Sequence, residues 1–223
     1  MGRAYLYCKM PYAPLRVTLK FTMKRALTHL KRADPVLAAI ISRVGPFKLQ
    51  YREPTFQTLV RSIVYQQLSG KAALTIFNRL TAAAKSDPLT PESILRLRPA
   101  RMRALGLSAQ KLGYIRELAR MTKRGEVDFE RCCALEDAAV VEHLTRVKGV
   151  GVWTVHMFLI FALRRPDVLP VGDLGVRAAM KKAYNLPELP KPAEMERLAQ
   201  TWRPYCSIAS WYLWRSLENQ GAM

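Results

Sequence analysis

The run Leu144-Thr-Arg-Val-Lys-Gly-Val-Gly-Val-Trp-Thr154 places two glycines one residue apart where one helical pattern stops and the next starts. Glycine permits positive φ and close approach by another backbone. With a helix beginning at once, the amides near Gly149, Gly151 and Val152 have no carbonyl one turn back to bond. Together with the helix dipole they make an anion site that needs no side chain. Lys148 adds a mobile positive charge. The bland alternative is a glycine-rich turn with no ligand. A second candidate is Asp173, in Leu169-Pro-Val-Gly-Asp-Leu-Gly-Val-Arg177. An Asp after a Pro/Gly loop and before Val176, Ala179 and Met180 is ordinary N-cap chemistry. An N-cap carboxylate also stays ionised and keeps an oxygen for a second task. The aromatics Trp153, Trp202, Tyr205, Trp211, Tyr212 and Trp214 read by helical spacing mostly as core. A cluster opening beside a carboxylate would instead stack on a flat, electron-poor ring.

Charge says what such groups face. Lys and Arg number 36 against 17 Asp and Glu, a net +19 and a pI near 10.2. Unpaired charge on that scale repels itself unless an anionic partner uses it. Nucleic acid is the first candidate, because neutralising phosphates releases condensed counterions. An anionic membrane needs an anchor or insertion element, and the longest apolar stretch, Val155 to Leu163, is too short to span one. The four Cys show no CxxC and the three His form no HxxxH pair, so a zinc site or disulfide framework is not expected. With no signal-peptide pattern, a reduced intracellular compartment is the default. A nucleic-acid partner also gives Arg61-Ser-Ile-Val-Tyr-Gln-Gln-Leu-Ser-Gly-Lys71 a role beyond a solvated turn. Its paired glutamines could fill the gap left by an extruded base.

The elements that must position these groups are helices. At 223 residues and 50% hydrophobic, the chain is globular, with one domain or two small ones. Asp34-Pro35 starts one helix and Gly45-Pro46 stops it; Pro54 opens another to about Gln67; Ser69 caps a helix through Ala84. Thr90-Pro91, Pro99 and Ser108 start three more, and five further patterns run from Asp137 to Asn219. The expectation is an all-α fold of about ten helices joined by short turns. Leu105-Gly106-Leu107-Ser108 repeats the glycine-bearing connection of the Gly149 turn. Residues 1–22 stand apart: Tyr5-Leu6-Tyr7 and Val17-Thr18-Leu19 are mildly strand-like, and no acid precedes Asp34. They read as a basic, anion-binding arm or a poorly ordered terminus, with the helical domain over 23–223.

Taken jointly, Ser62-Ile-Val-Tyr-Gln-Gln-Leu-Ser, Val147-Lys-Gly-Val-Gly-Val-Trp-Thr and Asp167-Val-Leu-Pro-Val-Gly-Asp-Leu-Gly resemble the helix-hairpin-helix DNA glycosylases. The branch they resemble is the 3-methyladenine DNA glycosylase II (alkylbase) one, in a short form without its N-terminal α/β domain. The resemblance covers about residues 23–220, with the motifs in the family's order. It implies a two-lobed all-α fold with the active site in the cleft between lobes, and a hairpin over 145–153 that grips backbone phosphates. Gln67, Lys148, Gly149, Val150, Gly151 and Val152 are then the DNA-binding set, and Asp173 the catalytic aspartate. Trp153, Tyr205, Met157, Leu174 and Tyr65 form the base pocket, Met157 and Leu174 standing where the family has other aromatics. A structural sodium or potassium ion on the carbonyls of Thr145, Val147 and Val150 is also implied, with no other cofactor. Trp153 replaces the Schiff-base lysine of bifunctional relatives, and only Cys206 lies where iron–sulfur members need four cysteines.

These features combine into a monofunctional enzyme that flips an alkylated purine from double-stranded DNA and hydrolyses its glycosidic bond, opening base excision repair. It would act as a monomer, in the cytoplasm with the nucleoid of a bacterium or in a eukaryotic nucleus. A non-catalytic hairpin protein that binds or senses damaged DNA is the alternative, and an RNA-binding helical protein a third reading. Asp173 argues against both, because a carboxylate beside phosphates weakens binding unless chemistry uses it.

Overall fold

The computed structural model describes residues 15–218, and Tyr5-Leu6-Tyr7 lies outside them. The described residues contain thirteen α-helices, one 3-10 turn and no strand. They divide into two compact units. The first comprises the described parts of Met1–Gln50 and Arg165–Met223, the second Tyr51–Arg164.

The first unit holds α1 (Leu15–Ala33), α2 (Pro35–Val44), α11 (Leu174–Ala183), α12 (Pro192–Ala199) and α13 (Cys206–Glu218), with the 3-10 turn at Gln200–Trp202. Leu30, Leu37, Val176, Met180, Trp202 and Tyr212 meet in its core. Asp34 pins the start of α2: Oδ1 accepts from the Leu37 amide at 3.0 Å, and Oδ2 from Trp202 Nε1 at 2.8 Å and the Tyr184 hydroxyl at 2.5 Å. A buried carboxylate is stable there because neutral donors replace its lost water. Val17-Thr18-Leu19 belongs to α1, not to a strand, so helix begins eight residues before the expected domain start at 23. The repeat that buries Ala26 and Leu30 holds α1 against the core. Burial of such a face outweighs the weak strand preference of two β-branched residues.

The second unit holds α3 (Phe56–Tyr65), α4 (Gly70–Ala84), α5 (Pro91–Arg96), α6 (Pro99–Ala104), α7 (Ala109–Lys123), α8 (Phe129–Ala134), α9 (Asp137–Thr145) and α10 (Val152–Phe161). Leu59, Ile63, Leu80, Ile94, Ile115, Leu118, Leu144 and Phe158 are buried there. The expected caps at Ser69, Thr90 and Ser108 each accept an amide three residues on, from Ala72, Ser93 and Lys111. Helix α3 stops at Tyr65, two residues before the expected end, and leaves both glutamines in the turn. Helix α8 is an addition, started by Asp128, whose Oδ1 accepts from the Glu130 and Arg131 amides.

Candidate active site and nucleic-acid interface

In the second unit, α9 ends at Thr145, whose hydroxyl donates back to the Val141 carbonyl at 2.7 Å. The chain turns through Val147–Val150, closed by the Val150 amide on the Val147 carbonyl at 3.0 Å. Gly149 alone in this turn has positive φ, +86°, and a Cβ there would lie 2.0 Å from Tyr114 Cδ2. The ring of Tyr114 thus packs where only hydrogen fits. Gly151 caps α10 at φ −88° and has open space around it, so of the two expected glycine requirements only that at Gly149 holds. Among the described residues the amides of Gly149, Gly151 and Val152 meet no acceptor, as an anion site needs. The Val150 amide is spent inside the turn, so Val150 shapes the site and donates nothing outward.

The turn after α3 meets this hairpin. Gln66 is half-buried, and its Nε2 donates to the Gly149 carbonyl at 2.9 Å and to Thr154 Oγ1 at 3.0 Å. Lys111 Nζ donates to the Val64 carbonyl at 2.7 Å and to that of Gln66 at 2.6 Å, covering the C-terminal carbonyls of α3. Partial burial lowers its ammonium from the ordinary lysine range. Gln67, at φ +55°, is exposed. The two glutamines therefore separate in role: Gln66 ties the turn to the hairpin and Gln67 projects. Both line a depression of about 410 Å³ with Thr145, Val147, Lys148, Gly149, Val150 and Gly151. Sequence reasoning gave Gln66 the same wedge role as Gln67 and missed Lys111 and Tyr114, neither of which carries a local signal.

Asp173 lies in the first unit and caps α11. Its Oδ1 accepts from the Val176 amide at 2.8 Å and from Trp214 Nε1 at 2.8 Å. The residue is 8% exposed. Gly175 makes the second bond reachable: a Cβ there would lie 3.0 Å from Trp214 Cδ1 and 3.1 Å from the carboxylate oxygen. Leu174, beside it, is 64% exposed. Trp214 is thus an orienting partner that the aromatic pattern did not single out.

The remaining pocket candidates divide between the units. Trp153 and Met157 are half-buried on one face of α10, four residues apart. The ring of Tyr65 is covered by the Arg61 guanidinium, 4.2 Å from its centroid, and Arg61 also donates to its hydroxyl. That face is already taken by a cation. Tyr205, in the first unit, is half-buried and meets His29 edge-on at 5.4 Å. Trp202, Trp211 and Tyr212 are buried core, as their spacing implied.

Comparison with known proteins agrees with this layout. The family model for the HhH-GPD superfamily of base excision DNA repair proteins matches residues 60–204. DNA-3-methyladenine glycosylase 1 of Schizosaccharomyces pombe is 33% identical over 201 residues, covering 87% of this chain and 88% of that protein. Among solved structures, the S. pombe 3-methyladenine DNA glycosylase in complex with abasic DNA superposes with a TM-score of 0.81 at 32% identity, over 89% of this chain and 99% of that one. A DNA-3-methyladenine glycosidase from Bacillus halodurans gives a TM-score of 0.73 at 31% identity, over 98% and 95% of the two chains. With the family match running from within α3 to the residue after Arg203, and so through both the glycine hairpin and the capped aspartate, the chain belongs to the HhH-GPD superfamily of base excision DNA repair proteins.

Proposed function

We propose that the chain is a monofunctional DNA glycosylase that removes alkylated purines of the 3-methyladenine and 7-methylguanine type from double-stranded DNA, with Asp173 as its catalytic carboxylate. The observation that carries this is the fixed carboxylate: two neutral donors, an amide and an indole, converge on Asp173 Oδ1. Donors of that kind fix the orientation of a carboxylate. A base inside a duplex is out of reach, so it must leave the stack, at least cost where the pair is damaged. The hairpin amides and Lys148 hold backbone phosphates while Gln67 fills the vacated place.

An alkylated purine carries positive charge, so the glycosidic electron pair leaves with the base and neutralises it. C1′ becomes oxocarbenium-like, water adds there, and the proton that the water loses passes to solvent or to Asp173. The carboxylate stabilises the developing positive charge and orients the water. Trp153 and Tyr205 are each an aromatic face that favours a cationic ring over an uncharged purine. An indole cannot form a Schiff base, so Trp153 leaves the hairpin without strand-nicking chemistry. Thr145, Val147 and Val150 line one depression beyond the C-terminal end of α9, and their carbonyls are the groups that would hold a sodium or potassium ion there, the Val147 carbonyl sharing its oxygen with the Val150 amide. Such an ion would supply a positive charge toward a phosphate. The enzyme acts as a monomer on genomic DNA, in the bacterial nucleoid or the eukaryotic nucleus.

The test is Asp173→Asn on methylated duplex DNA, with free bases resolved by chromatography. Asn keeps the side-chain oxygen that caps α11, so folding persists while base release is lost. Near-normal release would remove Asp173 from the chemistry; tighter duplex binding with no release by either protein would point to a binding module.

A further inference from the structure

Helix α1 carries Arg16, Lys20, Lys24, Arg25, Lys31 and Arg32 and no acidic residue. Lys31 and Arg32 lie in the last turn, where they offset the helix dipole. That accounts for neither Lys24 nor Arg25. Lys24, Arg25, Thr28, Lys31 and Arg32 are all exposed, and the opposite face buries Ala26 and Leu30. Among the described residues, Lys24, Arg25, Lys31 and Arg32 make no ion pair, whereas Arg203 in the same unit is held by Asp167 and Glu196. Lys24, Arg25, Thr28, His29, Arg32 and Ala33 line a groove of about 720 Å³. His29 forms its wall: Nε2 is 3.0 Å from the Thr201 carbonyl, and the ring meets Tyr205 edge-on.

We infer that the α1 groove is a second backbone-binding surface, taking phosphates of the DNA strand that flanks the flipped nucleotide. The inference rests on the reading of Tyr205 as a pocket aromatic, since Tyr205 is what sets the groove beside the extruded base. Its chemistry matches a sugar–phosphate chain. Point charges at Lys24, Arg25 and Arg32, a hydroxyl donor at Thr28 and no competing carboxylate favour repeated anions over a lone ligand. Clustered cations on one helix repel one another, and a polyanion relieves that repulsion. The hairpin gives one grip through fixed amides; α1 gives a grip of a different kind, through side chains and so strongly dependent on salt.

The experiment is a salt titration of binding to an undamaged duplex, comparing wild type with Lys24→Gln/Arg25→Gln/Arg32→Gln. The control is a charge-matched triple elsewhere in the unit, Arg43→Gln/Lys181→Gln/Lys191→Gln. Each phosphate contact adds about 0.9 to the slope of log affinity against log salt, so the α1 triple is expected to be shallower by up to about 2.7. On a fourfold rise in salt, wild type then loses about forty times more affinity than the variant. The control triple keeps the wild-type slope. Equal slopes for all three proteins, or equal losses for both triples, overturn the inference. A loss confined to phosphatidylglycerol vesicles, with duplex binding intact, overturns it too. Thermal melts report folding, and the single variants, each expected to be about 0.9 shallower, serve if the triple is unstable. Base release by wild type separates the two claims. Without release the glycosylase reading fails; with release but an unchanged α1 slope, only the second grip fails.

Discussion

Replacing Gly149 by Ala tests the hairpin where its geometry is least forgiving. The new Cβ would stand 2.0 Å from Tyr114 Cδ2, 2.1 Å from Cγ and 2.4 Å from Cε2. These atoms are the root and side of the ring, not the tip of a flexible chain, so Tyr114 must move bodily. That motion also strains its hydroxyl contact with Gln110 Nε2, at 2.6 Å. Overpacking of this kind costs about 1–3 kcal/mol. The left-handed φ adds about 1–2 kcal/mol for any residue with a Cβ. The expected loss on urea unfolding is therefore about 2–5 kcal/mol. Duplex affinity falls with it, because the unbonded amides of Gly149, Gly151 and Val152 are displaced with the turn. In a Tyr114→Ala background the steric part vanishes and only the cost of φ, about 1–2 kcal/mol, remains. A loss below about 0.5 kcal/mol in the native background, the range of an inert surface change, refutes the argument. So does the same loss with and without the Tyr114 ring.

Three other outcomes follow from the same structure. Trp214→Phe removes the indole donor to Asp173 Oδ1; a hydrogen bond to a charged group is worth about 1.5–3 kcal/mol, so single-turnover base release should slow about 10- to 150-fold with duplex affinity unchanged. His143 is held below its ordinary value of 6.5, first by burial and then by Arg131 and Arg146, and its Nε2 accepts from the Asp128 amide at 3.3 Å. A depressed folded pKa means that this stability is full above 6.5 and is lost as pH falls from there through the folded value, so Tm should drop as pH falls below 6.5, and less so in His143→Gln. Asp34→Ala strands the Leu37 amide, the Trp202 indole and the Tyr184 hydroxyl inside the first unit and should cost about 3–5 kcal/mol by thermal unfolding.

What the sequence disclosed and what it hid divide by the range of the interaction. Asp34, Ser69, Thr90, Ser108 and Asp173 announce their helices because an N-cap acts on an amide three residues away. The hairpin is legible for the same reason. Gln66 and Gln67 are chemically identical neighbours, and only a partner at Gly149 makes one a tie and leaves the other exposed. Gly149 and Gly151 likewise look equivalent until the Tyr114 ring is in place. The indole at Trp214 reaches Asp173 across 41 residues, a distance over which helical spacing carries no information. Helix α8, six residues long, is too short for a periodic pattern, and its one cap at Asp128 was the only available clue.

The first unit contains its own comparison for the catalytic assignment. Asp34 and Asp173 are both N-caps, both 8% exposed and both bonded to a tryptophan indole at 2.8 Å. Composition and capping alone cannot separate them. What differs is how the donors are distributed. At Asp34 they divide: the Leu37 amide goes to Oδ1, while Trp202 and Tyr184 share Oδ2. Both oxygens of that carboxylate are bonded, and the residue three on, Leu37, is buried, as Val176 is at the same place after Asp173. At Asp173 the amide and the indole converge on the single oxygen Oδ1, and the next residue, Leu174, stands 64% exposed. Capping geometry therefore does not by itself assign the chemistry: the proposed role of Asp173 rests on its place in the Val171-Gly-Asp-Leu-Gly175 motif, and base release by Asp173→Asn beside Asp34→Asn separates the two aspartates.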